Sequence, residues 1–301
     1  KGKSMSDARA SMYVDGKTRL FGVYGHPIGH TFSPKIHELL IQEYGENMAY
    51  VAYHVLPEHL GEALKGAWAM NIQGLNLTIP HKELALPHLV GISPEARQVG
   101  AVNTLKWTPE GYYGYNTDVY GMQQQLRTNG MILAGQRVLI LGAGGAARSA
   151  VMVCVLEGAS EILVYNRNRG RAEEMLRHFS EVCEKMPTMR VVSYEELLTM
   201  EHPYVIQTTP AGMLNVPDPL PIADESFYQG ILYGADAVFN PKDTPFLKKV
   251  RAQGGVGISG LPMLFYQAVR AFEIWNEMEF PAGPREAAKE KFLAWAEEYF
   301  A

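Results

Sequence analysis

The sequence predicts an α/β protein of two domains, each built on an open, mainly parallel β-sheet. Its 301 residues exceed one average domain of about 150, and 47% of them are hydrophobic, which is enough for two buried cores. Short apolar runs alternate with amphipathic helical segments in both halves, as in parallel sheets with right-handed helical crossovers. A glycine-rich turn in the second half stands between a buried strand and a helix.

The first half predicts a β-α-β-α-β order that leads into a hairpin. Ser33 is a suitable N-cap for the first helix, and Pro34 suits the first helical position. The predicted elements are strand 20–25, helix 35–44, strand 50–56, helix 57–68, strand 74–79, and a hairpin of 101–105 with 111–116.

The second half repeats the alternation and ends in helices. A helix over about 119–126 leads into roughly six strands, and no strand is predicted after residue 258. The predicted strands are 137–141, 161–165, 190–193, 204–208, 233–239 and 255–258, and the predicted helices are 145–157, 171–179, 261–275 and 284–300.

Composition argues against several classes of protein. Lys and Arg number 27 against 32 Asp and Glu, so no basic excess favours a nucleic-acid partner. No apolar run approaches the length of a membrane-spanning helix, and residues 1–10 lack the apolar segment of a secretory signal. We expect residues 1–10 to form a loose tail, and the protein to have no membrane partner.

Metal binding and disulfide bonding are also not expected. Cys154 and Cys183 are the only cysteines, too few for a disulfide framework or a tetrahedral zinc site. Cys154 lies in an apolar stretch and is predicted to be a buried, inert thiol. His26 and His30 flank a Pro-Ile turn without a metal-binding spacing, so structural or solvent-facing roles are favoured. We expect a reducing, cytoplasmic compartment.

The glycine-rich turn matches the dinucleotide fingerprint of a Rossmann domain. In the sequence GAGGAA, Gly142 permits a tight turn, Gly144 lets the backbone approach a pyrophosphate, and Ala147 allows close helix packing. Gly145 and Ala146 open the helix, whose free N–H groups and dipole favour an anion. A glycine-rich loop without a ligand is the alternative.

The next strand favours NADP over NAD. NAD sites usually have an acidic residue at this strand end, whereas here Tyr165 is followed by Asn166 and Arg167. Arg167, together with Arg169 or Arg171, would suit a 2′-phosphate. The alternative is a solvated helix start with incidental charge.

Polar residues follow predicted strands of the first half. Lys82 comes just past one strand, Asp118 ends another element, and Asn103 lies in a small apolar stretch. A lysine held by a carboxylate could exchange a proton with a ketone oxygen during hydride transfer, and could stabilise an alkoxide. Spacing alone nevertheless favours a surface lysine and a helix N-cap.

The chain resembles the shikimate dehydrogenase family, including its quinate/shikimate relatives, from about residue 19 to residue 275. Eight motifs in a fixed order carry the resemblance. The matching segments are GHPIGHTFSPKIH at 25–37, NLTIPHKE at 76–83, GAVNTL at 100–105, GYNTD at 114–118, GAGGAAR at 142–148, NRNRGRA at 166–172, FNPKDTPFL at 239–247 and GLPMLFYQA at 260–268.

The resemblance implies NADP-linked interconversion of 3-dehydroshikimate and shikimate in the cleft between two domains. It assigns catalysis to Lys82 and Asp118 and the substrate carboxylate to Thr31 and Ser33. The remaining implied contacts are Thr78, Asn103 and Gln267 for substrate, and Gly142, Gly144, Gly145, Ala146, Asn166, Arg167, Arg171, Thr208 and Met213 for cofactor.

The same resemblance implies a discontinuous substrate domain. Residues 1–118 would form the substrate-binding domain, 119–257 the Rossmann domain, and 258–301 helices that return to the substrate domain. The protein is expected to act on a small molecule as a monomer or homodimer.

Departures from the family pattern keep two alternatives open. Thr31 stands where serine is usual, and Phe239 where many members have a tyrosine that reaches the carboxylate. Gln207, His81 and Asn168 also differ from common residues. These changes favour considering a quinate or dual quinate/shikimate dehydrogenase using NAD or NADP. A non-enzymatic alternative is an NADP-binding sensor on the same fold.

Overall fold

The structure is a computed structural model that describes residues 14–214 and 216–301, so the predicted tail at residues 1–10 lies outside the described residues. In the described part of the first half there are six strands and five α-helices. The strands are β1 (Arg19–Gly25), β2 (Met48–His54), β3 (Gly74–Leu77), β4 (Gly91–Ile92), β5 (Thr104–Thr108) and β6 (Gly111–Tyr115), and the helices are α1 (Ser33–Tyr44), α2 (Leu60–Ala69), α3 (His81–Leu84), α4 (Pro94–Val99) and α5 (Asp118–Thr128).

The second half contains a further six strands and six helices within the described residues. The strands are β7 (Arg137–Leu141), β8 (Glu161–Tyr165), β9 (Thr188–Val191), β10 (Tyr204–Gln207), β11 (Tyr233–Asp236) and β12 (Val256–Ile258), and the helices are α6 (Gly145–Leu156), α7 (Arg169–Val182), α8 (Tyr194–Thr199), α9 (Pro245–Ala252), α10 (Leu261–Asn276) and α11 (Ala282–Phe300).

The strands form two separate sheets. The first has the order β2-β1-β3-β5-β6-β4, and the second has the order β12-β11-β10-β7-β8-β9. Every pair in the second sheet is parallel. The first sheet is mixed, because β5 runs antiparallel to both β3 and β6 in the predicted hairpin. The predicted α/β class is confirmed.

The terminal helices pack on the first sheet. Phe265 of α10 and Phe292 of α11 share a buried cluster with Phe21 of β1 and Ile36 of α1. Helix α5 packs against α10 and also against α6 of the second sheet. Residues of α5 and α6, such as Met122 and Val151, lie in one continuous apolar cluster. Helix α5 therefore links the two sheets.

Several local predictions need correction. The N-cap of α1 is Phe32, without a side-chain cap, so Ser33 is the first helical residue. The hairpin strand begins at Thr104, because Val102 donates its N–H to the carbonyl of Lys82 (2.9 Å) in a loop. Helix α7 begins two residues earlier than predicted, since the Asn168 side chain caps it.

The short elements escaped prediction altogether. Strand β4 and helices α3, α4 and α8 have two to six residues each, and α9 has eight. Segments this short present no repeated apolar periodicity that distinguishes them from loops.

Asp236, the last residue of β11, generates a pH-dependent stability prediction. It is buried; its Oδ1 accepts the Val238 N–H (2.9 Å), and its Oδ2 accepts the Thr244 hydroxyl (2.7 Å). Burial raises the pKa of Asp236 from 3.8 to about 7. Between these two values the folded state keeps a proton that the unfolded state releases, so the free energy of unfolding falls as pH rises.

Asp236→Asn should remove this loss while retaining the Oδ1 acceptor. Urea unfolding at intervals between pH 4 and 8 should show the parent losing at least about 1 kcal/mol more than the variant. Equal losses for the two proteins would contradict the assignment of this pH dependence to Asp236.

Candidate active site

Lys82 and Asp118 meet at one edge of the first sheet. Strands β3 and β6 run in the same direction on either side of β5, so their carboxyl ends lie at the same edge. Lys82 follows β3 in α3, and Asp118 follows β6 as the first residue of α5. The Lys82 Nζ donates to Asp118 Oδ2 at 2.5 Å. Asp118 is buried, and the Lys82 side chain is 18% exposed.

Asn103 fixes the second oxygen of the Asp118 carboxylate. Its Nδ2 donates to Asp118 Oδ1 and to Thr117 Oγ1, both at 2.9 Å, while its Oδ1 accepts the Thr117 N–H at 2.7 Å. The same Nδ2 lies 3.4 Å from Gln267 Oε1 of α10. Both Asp118 oxygens therefore have a donor, and Lys82 keeps further N–H donors for another partner.

A buried polar layer behind these residues was not predicted as part of the site. The Tyr50 hydroxyl donates to Asn76 Oδ1 (2.7 Å), and Asn76 Nδ2 donates to the Asn103 carbonyl (3.2 Å) and to Thr104 Oγ1 (3.1 Å). Asn76 belongs to the motif NLTIPHKE, and a polar side chain inside a buried strand requires hydrogen-bond partners. This requirement is the sequence signal that could have identified it. The layer orients Asn103 through its backbone and neighbours.

The His37 ring packs against the ring of Tyr50. The two rings stack with centroids 4.0 Å apart, and His37 is buried. Burial lowers the pKa of His37 to about 3, so the imidazole is neutral at physiological pH. His37 consequently adds packing without positive charge to this layer.

Thr31 lies in the loop between β1 and α1, and Ser33 is the first residue of α1. Ser33 Oγ accepts the Thr31 hydroxyl at 3.2 Å, and the Ser33 N–H donates to Thr31 Oγ1 at 3.3 Å. Because β1 is the parallel neighbour of β3, this loop leaves the same sheet edge as Lys82. Thr78 lies beside the end of β1, and a Cβ on Gly25 would come within 2.5 Å of its Cγ2.

The glycine-rich turn lies next to the Lys82–Asp118 pair. Gly142 has a φ of +117°, and a Cβ there would lie 2.5 Å from Thr208 Oγ1, so only glycine fits. Gly144 is the N-cap of α6 and has no side-chain cap. A Cβ on Gly145 would lie 3.1 Å from Cδ of Lys82. The lysine stem therefore contacts the first residue of α6.

This turn fits a dinucleotide. Gly144 leaves open space, since among the described residues the only atom within 4 Å of a Cβ built there is Arg171 Nη2, at 4.0 Å. The uncapped first turn of α6, including Gly145 and Ala146, offers N–H donors to a diphosphate. A hollow of about 30 Å³ lies at the ends of β7 and β8, where Rossmann domains bind ligands, and includes Asn166 and Arg167 in its lining.

The predicted arginines occupy two different places. Arg167 Nη2 lies 2.7 Å from Asp218 Oδ2, with both side chains well exposed. Arg171 instead reaches the glycine-rich turn and lies 3.5 Å from Glu83. Asn166 Nδ2 donates to the carbonyl of Asn168 (2.8 Å) and so shapes the turn between β8 and α7.

Three residues that depart from the family pattern, Gln207, His81 and Phe239, make hydrogen bonds or packing contacts within the protein. Gln207 is buried, and its side-chain amide bonds the backbone of Thr209 and Ala211. His81 is buried, with Nε2 2.8 Å from the Val55 carbonyl. The Phe239 ring packs 5.1 Å from that of Phe32, between centroids.

Met213 is partly buried in the turn after β10. Its N–H donates to the Pro210 carbonyl at 3.1 Å.

A second hollow, of about 350 Å³, lies between α4, α5 and α10, and its lining includes neither Lys82 nor Asp118. Its walls include Glu95 and Arg270 together with apolar side chains such as Ile274, and it is separate from the Lys82–Asp118 pair.

Two absences concern the described part of the chain only. Within residues 14–214 and 216–301, no cluster of three or more His, Cys, Asp or Glu side chains is placed to hold a metal ion. No helix in these ranges combines the length and apolarity that crossing a membrane requires.

Three family models match successive parts of the chain. "Shikimate dehydrogenase substrate binding domain" matches residues 23–105, "Shikimate / quinate 5-dehydrogenase" matches 124–203, and "Shikimate 5'-dehydrogenase C-terminal domain" matches 260–288. A relative from Synechocystis sp., named shikimate dehydrogenase (NADP(+)), is 37% identical over 273 residues, which cover 89% of this chain and 93% of the relative.

Solved structures give the same family, and one neighbour has a different activity. Shikimate 5-dehydrogenase from Thermus thermophilus, solved with NADP(H) and shikimate, has a TM-score of 0.76 and 31% identity, covering 91% of this chain and 99% of that one. A 5-ketofructose reductase of Gluconobacter also has a TM-score of 0.76, with 29% identity and coverage of 92% and 99%. Identity and coverage together establish that the chain belongs to the shikimate dehydrogenase family.

Proposed function

We propose that the protein is an NADP-dependent shikimate dehydrogenase, an oxidoreductase that reversibly reduces 3-dehydroshikimate to shikimate in aromatic amino acid (chorismate) biosynthesis. The observation that carries the proposal is the contact between Lys82 and Gly145. It brings a Lys–Asp pair for proton exchange to the N-terminus of the helix that opens a dinucleotide-binding turn. Two curated relatives, 34% and 37% identical over 89% of this chain, are named shikimate dehydrogenase (NADP(+)).

The proposed division of labour follows the two sheets. Residues 1–118 and 258–301 would form the substrate domain, and residues 119–257 would form the cofactor domain. The packing of α10 and α11 against β1 and α1 supports the return of the terminal helices. Gln267 on α10 lies 3.4 Å from Asn103, which supports a role for the returning segment in substrate binding.

Substrate binding would use hydroxyl and amide donors. Thr31 and Ser33 would hold the carboxylate, and their side chains already lie within hydrogen-bond distance of each other. Thr78, Asn103 and Gln267 would contact ring hydroxyl groups. Such donors reject an analogue that lacks the matching oxygen, because a buried donor would then be unpaired.

When bound, NADP would supply or accept the hydride. During reduction, Lys82 Nζ donates a proton to the substrate oxygen, and in the reverse reaction the amine recovers that proton. Asp118 holds the ammonium group at 2.5 Å and keeps Nζ aimed into the cleft. Asn103 prevents rotation of the Asp118 carboxylate. The lysine charge also stabilises negative charge that develops on the oxygen.

Gly142, Gly144, Gly145 and Ala146 would hold the cofactor diphosphate. Asn166 and Arg167 would contact the adenosine ribose and its 2′-phosphate, and Arg171 would add a second positive charge. The exposed Arg167–Asp218 pair is no obstacle, because solvent-exposed ion pairs contribute little. Thr208 and Met213 follow β10 and would lie along the remainder of the cofactor.

A quinate or dual quinate/shikimate dehydrogenase using NAD or NADP is the second candidate. The favouring observation is Phe239, whose ring packs against that of Phe32, the residue between Thr31 and Ser33. A phenylalanine offers no hydroxyl to the carboxylate, and loss of one such bond costs about 1–3 kcal/mol. Selectivity between related acids depends on differences of this size.

A cytoplasmic location and a monomeric or homodimeric state complete the proposal. Cys154 and Cys183 are both free thiols, which supports a reducing compartment. Small-molecule ligands in the solved relatives support a small-molecule substrate here.

The experiment that tests the function measures steady-state rates on shikimate and quinate, each with NADP and with NAD. We expect the highest kcat/KM for shikimate with NADP, and Arg167→Ala should remove most of the preference for NADP over NAD. Higher kcat/KM on quinate would favour the second candidate. Bound NADP without turnover on either acid would favour an NADP-binding sensor.

Lys82→Ala tests the proton-exchange step. Turnover should fall at least about 100-fold while the KM for shikimate changes only modestly, because the lysine acts mainly on the transition state. Lys65→Ala, which removes an exposed lysine of α2, is the matched control and should leave turnover unchanged. Turnover of the Lys82 variant within a few-fold of the parent would exclude the catalytic role.

A further inference from the structure

Glu83 forms a charged connection between the proposed catalytic and cofactor-binding elements. It follows Lys82 in α3, and its carboxylate faces two arginines of the second sheet's helices. Its Oε2 lies 3.5 Å from Nε of Arg148 in α6, and its Oε1 lies 3.5 Å from Nη2 of Arg171 in α7. One carboxylate thus lies between two positive charges and neutralises one of them.

Arg148 is the fixed member of this group. Its side chain is only 12% exposed, and its Nη1 lies 3.5 Å from the carbonyl of Val99 at the end of α4. A Cβ on Gly100 would lie 2.9 Å from the same Nη1, so the guanidinium is packed tightly there. Its buried Nε has no hydrogen-bond acceptor among the described residues, and the 3.5 Å distance to Glu83 Oε2 makes that carboxylate its charge partner. The pair fastens α3 to α6.

Arg171 is the solvent-exposed arginine of the two. Its side chain is 57% exposed and lies over the glycine-rich turn, 4.0 Å from the position of a Cβ on Gly144. An arginine at that position can bind either the Glu83 carboxylate or an incoming phosphate. A nearby carboxylate also repels the phosphate, so its charge opposes anion binding at the turn.

We propose that Glu83 is a positioning residue with two opposed effects: it holds α3 and Lys82 through Arg148, and it competes with the cofactor's phosphate groups for Arg171. The proposal deepens the proposed function and rests on it. The first effect raises turnover. The second effect weakens cofactor binding, because Arg171 can leave the cofactor phosphate and bind Glu83 when the cofactor is released.

Glu83→Gln separates these effects by moving two measurements in opposite directions. The variant should lower kcat at least about 5-fold, because α3 loses its charged attachment to α6. It should also bind adenosine 2′,5′-bisphosphate about 3- to 5-fold more tightly by isothermal titration calorimetry, since Arg171 is released and one repulsive charge is removed. A purely structural role would instead weaken binding together with turnover.

Two further variants assign the binding effect to Arg171. Arg171→Gln should weaken binding of adenosine 2′,5′-bisphosphate, and adding Glu83→Gln to it should then change the dissociation constant less than 2-fold. The control is Glu173→Gln, which removes a carboxylate from α7 near Arg169 without touching α3. It should leave kcat unchanged and tighten binding less than Glu83→Gln does.

Specific outcomes would overturn the proposal. They are unchanged kcat in Glu83→Gln, unchanged or weaker fragment binding in that variant, or an undiminished Glu83→Gln effect without Arg171. Turnover of the parent enzyme with shikimate and NADP is measured on the same preparations. An inactive parent would contradict the proposed function. Calorimetry on the parent, the Glu83→Gln variant, the Arg171→Gln variant and the double variant would still test the Glu83–Arg171 competition.

Discussion

The ion pair of Lys82 and Asp118 is the interaction on which the arrangement of the site depends. Two charges removed from water are favourable only when their remaining hydrogen-bonding capacity is satisfied. Here one Asp118 oxygen binds Lys82 and the other binds Asn103. Asn103 is in turn held by Thr117 and by the buried Asn76. Removing any member would leave a buried polar group unpaired, so the set is held as a unit.

The sheet order makes this pair possible. The hairpin strand β5 separates β3 from β6 and reverses direction, which returns β6 parallel to β3. Lys82 and Asp118 then lie at the same sheet edge, although 36 residues separate them in sequence. Helix α5, which starts at Asp118, continues to the second sheet and packs against α6. The backbone that presents the carboxylate therefore also positions the glycine-rich turn.

Contact between the two halves gives the site its proposed chemistry. A dinucleotide-binding turn alone is common to many unrelated activities, and fold does not determine function. The neighbouring 5-ketofructose reductase illustrates this point at a similar TM-score. What distinguishes this site is the lysine stem lying against Gly145, with hydroxyl and amide side chains along the same sheet edge. Glu83 adds a second connection across this boundary.

Sequence reasoning worked best where one residue type is physically required. The positive φ and close contact at Gly142 admit only glycine, and the buried strand before it has an unbroken apolar run. It failed where distant residues meet: nothing near Asn76 or Tyr50 in sequence indicates that they bond each other. Nor does the sequence indicate that the buried Gln207 amide bonds the backbone of its own loop.

A crystal structure of the protein with both shikimate and NADP bound is the most direct test of the central claim. We expect the reacting hydroxyl oxygen within hydrogen-bond distance of Lys82 Nζ, the carboxylate on Thr31 and Ser33, and the nicotinamide on the same side of the cleft as Gly145. A shikimate oriented with its carboxylate at Lys82, or a nicotinamide remote from the Lys82–Asp118 pair, would contradict it.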